Sequence, residues 1–153
     1  MSSWAKLQTL SFSQKRLLAA SVMLLPISAV ALRFFSLRSW QSFLLKRAAR
    51  RSPNRSCPNK TALDTAFETA RMVRVASARG PYRGSCLQQS VTLWWLLQRQ
   101  SIESKIRFGA RKDGERLEAH AWVEVDGLAL NDGRGSHNEF KPCERLAAAE
   151  AGN

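Results

Sequence analysis

Apolar and polar positions change period several times along this chain, and those changes predict its elements. Residues 5–50 carry a helical pattern broken near Pro26, and Trp40, Phe43, Leu44 and Leu45 give its second half an apolar face. A Pro/Ser/Arg-rich stretch from Arg50 to Asn59 is the predicted boundary between residues 1–55 and 56–153. Residues 61–79 then predict a helix with Thr61 near its start and an inward stripe of Leu63, Ala66, Phe67, Ala70, Val73 and Val75. Gly80–Gly84 breaks it, and Ser85 caps a second helix running to about Arg99. The breadth of that helix's apolar surface, adjacent tryptophans included, predicts the central buried helix. Period-two alternation follows over Lys105–Arg111, Leu117–Val125 and Leu128–Asp132, with a turn at Lys112-Asp113-Gly114. Helices followed by an antiparallel meander predict an α+β fold, with helices packed on a small sheet.

Charge divides the chain differently. Of 24 Lys and Arg, eleven fall in residues 1–60, where no Asp or Glu occurs, while all twelve acids follow. The first third therefore forms a basic extension suited to anionic lipid, nucleic acid or an acidic protein, and the remainder is nearly neutral. No finger spacing, RNP-like strand or recognition-helix signature accompanies the charge, so nucleic acid is not an expected partner. Residues 17–32 are uncharged, too short for a comfortable span, and interrupted by Pro26. Their composition also mimics a signal or transit peptide. The preferred reading is a packed or membrane-adjacent helical pair, with residues 17–35 a candidate contact to a membrane surface. Three widely spaced cysteines without a CxxC pair argue against a disulfide framework or a metal knuckle, and favour a cytoplasmic setting.

Candidate chemistry concentrates on Cys86, His120 and Asp132. Cys86 falls at the first position of the central helix, where unpaired N–H groups and the helix dipole favour a thiolate, and Arg83 lies nearby. His120 sits on the second strand, alternating with Glu118, Trp122 and Glu124. His137, in a Gly-rich loop, is the competing base. Asp132 supplies an orienting carboxylate, and nucleophile, base and acid then follow one another in the chain. Hairpin parity bears on this trio. A two-residue loop at Asp126-Gly127 sets Asp132 opposite Ala121, whereas a three-residue loop with Gly127 left-handed pairs His120 with Asp132. The triad reading requires the three-residue loop, with residues 120 and 132 as cross-strand neighbours on one face. The Cys86 N–H is the first expected oxyanion donor, and Cys57 and Cys143 take no part.

The Ser85-Cys86-Leu87 segment, the Trp/Leu-rich helix, Glu118–Gly127 and Leu130-Asn131-Asp132 closely resemble the transglutaminase-like protease domain of lasso-peptide biosynthesis B proteins over residues 60–140. The resemblance implies a transglutaminase-like, papain-like cysteine protease fold, with Cys86 as nucleophile, His120 as base and Asp132 as orienting acid. It implies removal of the leader from a ribosomally made precursor peptide by the stand-alone protease form. Its partners would be a separate small winged-helix recognition protein and an asparagine-synthetase-like cyclase that uses ATP; no cofactor or metal is expected in this chain. Acyl transfer to an amine, and a non-catalytic module binding the precursor, are the rival expectations.

Overall fold

The computed structural model describes residues 11–34, 60–132 and 140–142. The expected boundary loop, the second half of the N-terminal helical pattern, Cys57, Cys143 and His137 lie outside the described residues. Among the described residues, helices α1 (Phe12–Phe34), α2 (Lys60–Arg79) and α3 (Cys86–Arg99) precede strands β1 (Lys105–Asp113), β2 (Arg116–Val125), β3 (Leu128–Ala129) and β4 (Lys141–Pro142). The strands form one antiparallel sheet in the order β3-β2-β1-β4, which makes the fold α+β.

Two helices start with the same device. Ser11 Oγ accepts from the Gln14 N–H while the Ser11 N–H donates to Gln14 Oε1, and Ser85 and Gln88 repeat this reciprocal pairing at α3. Ser85→Ala is expected to cost about 1 kcal/mol, measured as a lower urea midpoint with unchanged slope.

Contrary to the expected break, α1 runs unbroken through Pro26. A proline forfeits one helical hydrogen bond and crowds the preceding turn; here packing outweighs that cost. Ser21, Leu25 and Ser28 are buried on one side of α1, which packs on α2 and α3. Ser28 Oγ donates to Leu25 O at 2.8 Å and accepts from Thr92 Oγ1 of α3 at 3.3 Å. α1 is also long and apolar enough to cross a membrane, a property shared by core helices and signal sequences.

α2 buries Ala66, Ala70, Met72, Val73 and Ala76, small residues for the most part that let neighbouring helices approach closely. Phe67, expected in the inward stripe, is exposed. α3 buries Ser90 to Trp94 together with Leu96 and Leu97, a wide arc that makes it the central helix as expected. Trp94 Nε1 donates to Ser104 O at 3.2 Å, so the indole's polar end is satisfied inside the core. Ile106, Val123, Val125 and Leu130 close the core against Val73, Val91, Leu93 and Leu97.

β1 and β2 form a hairpin with Asp113 opposite Arg116. Its two-residue loop places Gly114 at φ 59°, the positive value that the first loop position of such a hairpin takes. Along it, Gly109 pairs with His120 and Ile106 with Val123.

Candidate active site

Cys86 is the first residue of α3, half-buried and a free thiol. The turn before it is held firmly. Tyr82 Oη donates to Gln88 Oε1, Gln89 Nε2 donates to Gly84 O at 2.8 Å, and the Gly84 N–H donates to Ser77 Oγ of α2. Gln88 and Gln89 are thereby committed to shaping the approach to Cys86. The nearby Arg83 is exposed and lines a shallow open groove with Arg74, Ser77, Ala78 and Gln89.

One turn after Cys86, Ser90 is fully buried and joins α3 to the sheet. Its hydroxyl donates to Ala121 O at 2.9 Å and accepts from Asn131 Nδ2 at 2.9 Å. The other end of the Asn131 carboxamide accepts the Val123 N–H at 2.8 Å. This clasp places three neighbours together. Ala121 follows His120, Asn131 precedes Asp132, and Cys86 lies four residues before Ser90, about 6 Å along the helix axis. α3 and β2 run in the same sense, because α3 leads into β1, whose first residue Lys105 pairs with Glu124 at the far end of β2. Relative to the Ser90–Ala121 contact, Cys86 therefore lies toward the Arg116 end of β2.

The clasp also marks where β3 leaves β2. Val123 turns its peptide groups toward β3, accepting from the Leu130 N–H at 2.9 Å, and Ala121 two residues earlier turns the same way. Past Leu130, among the described residues, Ser90 and Asn131 side chains take up Ala121 O and the Val123 N–H on this edge of β2.

His120 lies on the sheet face shared with Gly109 and Trp122, opposite the face of Ala121 and Val123. Its ring stacks on Trp122 (centroids 6.0 Å apart, planes at 21°) and meets Phe140 at 5.2 Å. Arg111 lies 5.0 Å over Phe140 and pairs with Glu118, while Trp122 Nε1 donates to Glu124, which also pairs with Arg107. Glu118 and Glu124 are thus occupied and do not compete as orienting acids. His120 Nε2 is buried and has no hydrogen-bond partner among the described residues.

Gly109 makes this arrangement possible. A Cβ there would sit 2.6 Å from Phe140 Cβ and 3.0 Å from Trp122 Cζ3. The Phe140 Cβ is tethered to backbone beside β4, so it can yield only by shifting that strand. Gly109→Ala is expected to cost about 1–3 kcal/mol and to lower kcat beyond any loss of folded protein. Both would be measured by thermal melts and by rates normalised to active enzyme.

The expected three-residue hairpin is not formed. Val125 pairs with Leu128 and Glu124 with Ala129, leaving a two-residue loop in which Asp126 (φ 51°) and Gly127 (φ 77°) are both left-handed. This is a type I′ turn, whose twist matches that of the strands and which Asp-Gly strongly favours. In this register Asp132 is no cross-strand neighbour of His120. Strand parity stops before Asp132, however, because the Asn131 side chain replaces the backbone as acceptor for Val123. Asp132 is half-buried at the point where the chain departs from the sheet.

Ser90, Asn131, Phe140 and Gly109 were not singled out from sequence as shaping the site. A serine one turn after the cysteine, on the helix face that continues through Leu93, Trp94 and Leu97, was the available signal for Ser90. Phe140 is remote in sequence and carried none.

Among the described residues, no group of three or more His, Cys, Asp or Glu could hold a metal ion. No curated protein and no solved structure matches the chain. The transglutaminase-like superfamily matches residues 28–145, and the chain belongs to it.

Proposed function

We propose, from this chain's membership of the transglutaminase-like superfamily, which includes cysteine peptidases and acyltransferases, that it is a cysteine peptidase. Its proposed role is removal of the leader from a ribosomally made lasso-peptide precursor. The observation that carries the reading is the Ser90–Asn131 clasp, which touches or adjoins the neighbours of Cys86, His120 and Asp132 at once.

In this mechanism His120 accepts the proton of the Cys86 thiol, and the thiolate attacks the carbonyl carbon at the leader–core junction. The Cys86 N–H, at a helix start where no intrahelical acceptor exists, donates to the developing oxyanion. Collapse of the tetrahedral intermediate breaks the C–N bond, and His120 returns its proton to the departing core amine. Water, deprotonated by His120, then hydrolyses the leader thioester and regenerates the thiol. Asp132 takes the orienting role at His120, since the Asn131 carboxamide is engaged at both ends. Tight packing by Trp122 and Phe140 supports a fixed imidazole.

A winged-helix recognition protein would deliver the precursor, and an ATP-using, asparagine-synthetase-like cyclase would take the core. The test is incubation of the full chain with a lasso precursor and a winged-helix recognition protein, followed by mass analysis. Separate leader and core fragments are expected. A leader joined to an added amine would assign the chain to acyl transfer instead, and an intact precursor retained on the protein would make it a binding module.

A further inference from the structure

α1 has two faces of different character. Ser21, Leu25 and Ser28 lie on one side, and Ala20, Leu24 and Leu32 flank them against the core. On the opposite side, Phe12, Met23, Ile27, Val30 and Phe34 are each more than half exposed. With exposed Arg16 and Ala19, they succeed one another at intervals of three or four, so at about 3.6 residues per turn they form one straight stripe along the helix. Among the described residues nothing covers it. Lys15, Arg16 and Arg33 stand exposed at its ends, within a segment that holds eleven basic residues and no acid before Asp64.

We propose that this stripe seats the protein on an anionic membrane surface, with α1 lying in the interface and its inner face holding α2 and α3. Charge complementarity selects the partner, because the segment would meet an acidic headgroup layer with no carboxylate to repel it. Packing argues against a spanning orientation. From Ala20 to Leu32 the inner face of α1 is against α2 and α3, and α2 carries Asp64, Glu68, Arg71 and Arg74, which hydrocarbon does not accommodate. The anchor is mechanically joined to the candidate site. Leu25 Cδ2 lies where a Gly84 Cβ would be 2.9 Å away, two residues before Cys86, and Ser28 bonds to Thr92 of α3. A membrane-seated α1 would therefore hold the nucleophile's helix close above the headgroups.

The proposal is independent of the peptidase reading. Its test is co-sedimentation of the full chain with vesicles of phosphatidylcholine alone, or of phosphatidylcholine and phosphatidylglycerol in equal parts. Binding to the anionic vesicles, weakened by salt, is expected for the wild type and for Cys86→Ala. The triple variant Met23→Ser, Ile27→Ser, Val30→Ser alters only exposed positions and is expected to reduce partitioning at least about tenfold, from lost apolar burial. Arg16→Glu with Arg33→Glu should reduce it on anionic vesicles only. Equal sedimentation of wild type and triple variant would overturn the proposal. So would resistance of the wild type to alkaline extraction, which would mark a span, or a concentration-dependent dimer abolished by the triple variant, which would mark an interface between copies.

Discussion

Cys86→Ala is expected to reduce kcat/KM for precursor cleavage on the order of 10⁴-fold while precursor binding persists. The expectation rests on the division of labour in the proposed mechanism. Covalent catalysis splits amide hydrolysis into two steps through the thioester, and without the sulfur His120 has no nucleophile to activate. The fold should survive. Cys86 is half-buried at the first position of α3, and the cap that starts this helix belongs to Ser85 and Gln88. An unchanged melting temperature with lost cleavage therefore separates chemistry from folding. Cys57→Ala and Cys143→Ala are expected to retain activity. Equal loss in either would move the nucleophile away from α3.

The second large effect is expected from Asn131→Ala, which should lower stability by about 2–3 kcal/mol and cut kcat further than the folded fraction explains. The carboxamide satisfies the N–H of Val123, a fully buried residue, where β3 has stopped, and it donates to the buried Ser90 hydroxyl. Truncation leaves a buried donor unpaired and loosens the join between α3 and β2. Cys86, His120 and Asp132 each lie within a turn or a residue of that join, so their mutual placement should suffer together. Asn131→Asp divides the two roles. A carboxylate still accepts from Val123 but cannot donate to Ser90, so it should recover stability more than rate. Urea unfolding alongside single-turnover cleavage checks both parts. Parallel recovery of stability and rate would reduce the clasp to a scaffold.

Much of this architecture was legible in the chain. α2, α3 and the β1–β2 hairpin followed from periodicity, and Ser85 marked the start of the nucleophile's helix through its own side chain. Two failures share a cause. Pro26 signalled a break because its local cost is fixed, but Ser21, Leu25 and Ser28 hold α1 against the domain across the proline, and no local rule contains that packing. Asp126-Gly127 suits both two- and three-residue loops, so the turn alone could not fix the register. The deciding element was Asn131, whose side chain substitutes for backbone and ends the ladder one residue before the predicted acid. The ring around His120 was half legible, since Trp122 alternates with it on one strand. Phe140 arrives through β4, and only Gly109, the partner of both His120 and Pro142, makes room for it.

The most direct test of the account is to trap the covalent intermediate. The full chain would be mixed with precursor and recognition protein, quenched in acid within the first turnover, and weighed intact and after digestion. The account predicts a thioester adduct carrying the leader's mass on Cys86, absent in Cys86→Ala and diminished in His120→Ala. Cleavage with an adduct on Cys57 or Cys143, or cleavage that persists in Cys86→Ala, would contradict it.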